Sequence, residues 1–135
     1  QAIWEFNKGK EIKSEDLQLA LDQKQQCLKQ LNLIFGNFDF LALPSAQIFP
    51  FDKNLQYPKN INNIELDTYH RWLEVFILSS LLELPTITIP VGFNKDGMPM
   101  GMQIIGKNKD DLKVFYFANM YEKAFNFSKN KPRIN

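Results

Sequence analysis

Hydrophobic positions along the chain alternate between helical spacing and short strand-like runs, separated by polar or proline-rich segments. Leu17, Ala20, Leu21, Cys27, Leu28, Leu31 and Ile34 recur at the 3.6-residue period and predict a helix. Ser14 is its expected cap, with Glu15 and Asp16 in the first turn, where the helix dipole favours negative charge. Gly36 stops it after Phe35. A shorter helical piece precedes it, reaching from Gln1 past Phe6 to the breaker Gly9. Residues 38–44, "FDFLALP", read as a buried strand between a glycine and a proline. Residues 44–63 carry Pro44, Pro50 and Pro58 with several Asn and no period, so they predict a long irregular loop. Loops of this length are commonly functional.

Asp67 or Thr68 is expected to cap the next helix. Tyr69, Trp72, Leu73, Phe76, Ile77 and Ser80 share one face of it, and Leu81 and Leu84 extend it to Pro85. Thr86 to Val91 is nearly all β-branched. "NKDG" (residues 94–97) has the chemistry of a hairpin turn, and residues 99–105 form the returning strand. Pro90 inside the first of these strands requires an edge or a bulge, because it has no N–H for a ladder. Asp110 is expected to cap a last helix with a broad apolar stripe of Leu112, Val114, Phe115, Phe117, Ala118, Tyr121 and Phe125. Residues 126–135 are a polar tail. The order of elements predicts an α/β layer arrangement with a small mixed β-sheet and flanking helices, within one domain at most.

Composition adds limits. Of 135 residues, 44% are hydrophobic and 23% charged, enough for a packed core and against disorder. Sixteen basic residues stand against 15 acidic ones, a net charge of +1, which gives no electrostatic reason to expect nucleic acid or an anionic membrane as partner. Lys129, Lys131 and Arg133 read as a solvated basic end. A single cysteine, Cys27, forbids an intrachain disulfide and makes a cytoplasmic setting the default; on the helical stripe it reads as a core thiol. No run of apolar residues is long enough to span a membrane. The chain begins with Gln1, which suggests a piece of something longer.

Catalytic constellations are missing. His70 is the only histidine, so no Ser-His-Asp or Cys-His device can be assembled within the chain, and one His with one Cys makes zinc improbable. No phosphate-binding or dinucleotide-binding glycine motif occurs, and no cofactor is expected. Ser79 and Ser80 sit in an apolar helix without Lys or His at a suitable offset. They read as small packing residues bonded back to the preceding turn. Glu74 and Glu83 lie on different helix faces and make no acid–base pair. His70 beside Arg71 reads first as a surface pair near a helix start.

Three stretches taken together carry a resemblance: "FDFLALPSAQIFPF", "DTYHRWLEVFILSSLLELPTITIPVGFNKDGMPMGMQIIG" and "DDLKVFYFANMYEKAF". Their order and spacing strongly resemble the C-terminal part of amidase signature enzymes, from about Ile3 to Phe125, and "YHRWLEV" is similar to the amidase and acylamidase branch. The resemblance implies that the 86–105 hairpin belongs to the central mixed sheet of that fold. It implies hydrolysis of a carboxamide by a Ser–Ser–Lys device. Those residues belong to a glycine- and serine-rich N-terminal portion of such enzymes, and no position of this chain matches them. The whole chain, residues 1–135, then corresponds to a C-terminal portion of an amidase signature domain without its catalytic portion. Tyr69, His70 and Trp72 are expected near the acyl pocket of the complete enzyme, with a small-molecule amide as substrate and the isolated segment prone to self-association. Two departures stand out: Glu83 replaces the usual glycine before "LP", which strains a helix end, and Ser45 stands where threonine is common. The competing readings are a non-catalytic structural or interaction module, or a gene remnant, and an independent small-molecule binder, for which too few pocket walls are present.

Overall fold

The computed structural model describes residues 2–131. Arg133 of the basic end lies outside the described residues. The chain divides into two compact units, one reaching to Asn37 and one starting at Phe38.

The first unit is a pair of helices, α1 (Ala2–Gly9) and α2 (Ser14–Phe35). Ser14 is the first helical residue of α2, and Lys13 takes the cap position expected for Ser14. The carboxylate of Asp16 reaches back to accept the Lys13 backbone N–H at 3.0 Å, so a group that would lack an intrahelical partner is satisfied from the first turn. Gly36 closes the helix with its N–H on Asn32 O at 3.0 Å. Of the predicted stripe, Leu31 is buried, with Phe35 one turn on, while Leu17, Leu21 and Ile34 are exposed. Cys27 is half-buried rather than a core thiol.

The second unit is built on a three-stranded sheet of β1 (Leu41–Pro44), β4 (Thr86–Phe93) and β5 (Pro99–Ile105), in the order β1-β5-β4. Every pairing is antiparallel, Leu41 facing Ile105 and Thr86 facing Ile105 across the central strand. The expected mixed sheet is therefore corrected: β4 and β5 are joined by a tight hairpin, and β1 runs against β5, so no parallel pair arises among these strands. The hairpin turn follows its sequence. Asn94 Oδ1 accepts the N–H groups of Asp96 and Met98, both at 2.9 Å, and Gly97 takes φ 77°, a conformation that costs other residues. Pro90 sits on the edge strand, and the register breaks between Pro90 and Gly92, so both allowances for a strand proline are used.

Residues after β1 are less irregular than expected. A short hairpin, β2 (Asn60–Ile61) with β3 (Ile64–Glu65), folds within the long connection. The single helix predicted up to Pro85 is two, α3 (Tyr69–Trp72) and α4 (Glu74–Leu81), broken at Leu73, whose φ and ψ are −93° and 1°. Around the break the N–H of Leu73 bonds His70 O and that of Phe76 bonds Leu73 O, both at 2.9 Å, a tightened three-residue pattern. Glu83 then adopts φ 55°, so the helix end reverses in the left-handed conformation that its sequence makes uncomfortable.

Helix α5 (Asp111–Phe125) covers the sheet. Ile104 and Ile105 are almost wholly buried, and Ile89 and Ala118 join Ile104 in a core flanked by Phe40, Val91, Phe117 and Tyr121. Full burial of an isoleucine side chain contributes about 1.5–3 kcal/mol, which makes the end of β5 the anchor of this unit. Gly106 lets the helix come close, since a Cβ there would lie 2.5 Å from Val114 Cγ2. Of the seven stripe residues expected on α5, Val114 and Ala118 are buried, whereas Leu112, Phe115 and Phe125 face solvent. The polar tail begins in order: Asn126 is left-handed at φ 56°, and Phe127–Lys129 form a 3-10 turn whose Phe127 ring stacks on Phe125.

Candidate functional site

A candidate site forms where the chain leaves β1. Ser45 continues the ladder by donating its N–H to Gly101 O at 2.9 Å. The side chain of Ser45 fits there because residue 101 is glycine; a Cβ at that position would lie 2.5 Å from Ser45 Oγ and 3.0 Å from Thr88 Cγ2. Beyond Ser45, residues 46–51 turn away and curve over β5. Ile48, Phe49, Phe51, Trp72, Pro99 and Met100 enclose an open apolar hollow of about 150 Å³, with Ser45 and Gly101 also on its wall. Phe51 meets the Trp72 ring edge to face, centroids 5.5 Å apart, a geometry that suits the aromatic quadrupoles.

Two side-chain amides hold these walls. Gln103, 2% exposed, donates from Nε2 to Pro44 O at 2.8 Å and to Val75 O at 3.1 Å, joining the end of β1 and the start of α4 through the central strand. Gln47 donates from Nε2 to Arg71 O at 2.6 Å and Trp72 O at 2.8 Å, the last carbonyls of α3. Helix C-terminal carbonyls lack intrahelical donors, so a side-chain amide aimed at them satisfies groups that the break at Leu73 would otherwise leave to water. Neither glutamine stands out in the sequence as a site residue. Their partners lie far away along the chain, and the one available signal is the polar residue in an otherwise apolar strand, Gln103 within "MPMGMQIIG".

Of the three expected pocket residues, Trp72 lines the hollow. Tyr69 and His70 do not line it; both are exposed, the Tyr69 ring lying edge-on to Tyr57 at 5.6 Å and to His70 at 6.5 Å. Arg71 points to solvent between two carboxylates, with Glu74 Oε1 at 2.7 Å and Asp67 Oδ1 at 3.4 Å. The hydrogen bond and charge of Glu74, with a smaller contribution from Asp67, raise the Arg71 guanidinium above its ordinary value.

The arrangement offers shape and apolar contact but no reacting group. Ser79 is buried and donates to Phe76 O at 3.3 Å, one turn back, as a packing serine does; Ser80 is exposed. Among the described residues no cluster of three or more His, Cys, Asp or Glu is placed to hold a metal ion, and no helix is long and apolar enough to cross a membrane.

The chain is similar to several known proteins. The A subunit of glutamyl-tRNA(Gln) amidotransferase from Shouchella clausii (strain KSM-K16) is 49% identical over 113 residues, which is 78% of this chain and 20% of the relative. The protein of the same description from Protochlamydia amoebophila (strain UWE25) is 44% identical over 133 residues, 93% of this chain and 25% of the relative. The chain thus spans about a fifth to a quarter of the length of these relatives. The crystal structure of a bacterial aryl acylamidase of the amidase signature family superimposes with a TM-score of 0.81 at 24% identity, covering 94% of this chain and 28% of the other, and so shows a shared fold. A protein-family model described as Amidase matches residues 2–115, and with the fold shared with the solved relative the chain belongs to the amidase family, as a segment of the amidase signature fold.

Proposed function

We propose that this chain is the C-terminal segment of an enzyme that hydrolyses carboxamides, and that it supplies part of the sheet and one wall of the acyl pocket rather than the reacting groups. The observation that carries this reading is the family match over residues 2–115, joined to an apolar hollow on the loop after β1. The reaction proposed for the complete enzyme is acyl transfer to a serine activated through a second serine and a lysine. Ammonia or an amine leaves, and water then releases the carboxylic acid. Those three residues are proposed to lie in a part of the complete enzyme that this chain does not span. Water is the final acceptor, so the reaction needs no cofactor. A small-molecule amide is the substrate, a cytoplasmic setting fits the lone Cys27, and neither a membrane nor nucleic acid is required.

Trp72 is proposed to face the acyl group, with Tyr69 and His70 at the outer margin of the same pocket. Assay of the complete gene product for ammonia release from benzamide, acetamide and glutamine tests the reading. Release that is lost when the serine-rich portion is removed supports it; no release from any amide overturns it.

A second reading draws on the relatives matched at 49% and 44%, which are described as components of an amidotransferase. In that case the nitrogen of the amide is passed to an acceptor instead of being released. Stimulation of amide cleavage by an added acceptor would favour this alternative over simple hydrolysis.

A further inference from the structure

The hollow beside Trp72 is small. Sites for whole small molecules occupy roughly 300–1,000 Å³, so about 150 Å³ holds only part of a ligand. An apolar cavity of roughly this volume accepts a single benzene ring. Its lining is suited to that: Phe51 and Trp72 offer ring faces and edges, and Met100 is an adaptable, polarizable neighbour. Two of its walls come from separate pieces of chain, residues 45–51 and α3. The Gln47 amide ties them directly, since both of its bonds end on the backbone of Arg71 and Trp72. If that amide lets go, the carbonyl end of α3 loses its donor and the Trp72 backbone is free to move relative to Phe51.

We propose that Gln47 is a specificity-determining positioning residue: its side-chain amide holds Trp72 against Phe51 and fixes the hollow at the size of one aromatic ring, so that a benzene-sized apolar group is accepted and a fused two-ring group is excluded. The proposal rests on the acyl-pocket reading only for its place in the reaction. The binding itself is a property of this chain. Gln47 touches no substrate; it acts through Trp72.

The test uses the 135-residue chain with methyl-labelled methionines, whose four signals include Met100 in the hollow and the exposed Met120 on α5 as control. The probes are benzyl alcohol and 1-naphthalenemethanol, followed by NMR. In the unaltered chain benzyl alcohol shifts the Met100 methyl saturably, the naphthyl probe does not, and Met120 stays still. Gln47→Leu keeps the side-chain bulk but removes the donor; it should weaken the benzyl response about tenfold or admit the naphthyl probe. Gln47→Lys, whose ammonium also donates to helix-end carbonyls, should restore the discrimination. If Gln47→Leu does not fold, Gln47→Asn, which shortens the arm, is read with the same two probes. A Met100 methyl indifferent to benzyl alcohol, or a folded Leu or Asn variant with discrimination unchanged, overturns the proposal. Because no turnover is measured, a failure of the complete enzyme to cleave amides leaves this result standing. Unchanged probe discrimination, conversely, says nothing against amide cleavage.

Discussion

The side-chain nitrogen of Gln103, in the middle of the central strand, lies 3.1 Å from the carbonyl oxygen of Val75 in the first turn of α4. The same nitrogen reaches Pro44 O, and Gln103 is 2% exposed, so the sheet, the start of the loop and the helix are joined at one buried amide. Gln103→Leu removes both bonds and takes this donor away from the Pro44 and Val75 carbonyls. It should cost about 2–3 kcal/mol, read as a lower urea midpoint with an unchanged slope. A loss below about 0.5 kcal/mol would mean that water replaces the amide without penalty.

The close approach of Ser45 to Gly101 predicts a size-dependent defect. Gly101→Ala places a methyl 2.5 Å from Ser45 Oγ and 3.0 Å from Thr88 Cγ2, and should destabilise by about 1–3 kcal/mol. Adding Ser45→Ala removes the nearer of these atoms and should return part of the loss. A double-mutant cycle measures that coupling, and strict additivity would show that the two positions do not press on each other.

Glu83 holds a left-handed backbone at φ 55° at the end of α4, where glycine has no side-chain penalty. Glu83→Gly should stabilise by about 0.5–1 kcal/mol, and Glu83→Val should destabilise by a larger amount. Thermal melts of the three chains give the order. Equal melting temperatures for Glu and Val would remove the backbone argument.

The isolated chain should show no amide hydrolysis toward aryl or aliphatic amides. Ser79 is engaged with Phe76 O, and neither it nor Ser80 has a base beside it in sequence or in the bonds described. Activity that persists in the Ser79→Ala, Ser80→Ala double variant would come from a contaminant. Activity abolished by either change alone would overturn the reading of these serines as packing residues.

Helix α5 is apolar on two sides: Val114 and Ala118 face the sheet, while Leu112, Phe115, Tyr116 and Met120 are exposed at 53–85%. A helix that is apolar beyond its packed face needs a second cover. We expect the chain to self-associate at micromolar concentration, through this face or through the edges of β1 and β4. Light scattering should show mass rising with concentration, and Leu112→Glu with Phe115→Glu should reduce it. A concentration-independent monomer would remove the expectation.

How far the sequence could be read depended on the range of the interaction. The helix from Ser14 to Phe35 and the hairpin around "NKDG" depend on neighbours a few residues away, and both were legible within a residue or two. The left-handed turn at Glu83 was legible only through the family resemblance, which implies a glycine at that position. The break at Leu73 was not. Tyr69, Trp72, Phe76 and Ser80 keep helical spacing across it, and the amide that meets the end of α3 comes from Gln47, which periodicity does not register. The direction of strand pairing was lost for a similar reason: the alternation of side chains in β1 says which face is buried but nothing about which way its partner runs. Tyr69, His70 and Trp72 share the short helix α3, and of the three only Trp72 lines the hollow. One turn of helix includes all three, but a wall uses only one side of it.

The central strand of the sheet is the last of its three strands in the chain. Leu41 and Thr86 both wait for Ile105, so during synthesis β1 and β4 emerge with exposed edges and nothing between them. Closure of β1 onto β5 spans most of the second unit, which makes it an entropically late event, and the apolar surfaces of the earlier strands stay open until it happens. A chain halted after Phe93 would therefore carry both outer strands without the strand that joins them. The order in which the strands are made leaves a window for misassembly that closes only when residues 99–105 have left the ribosome.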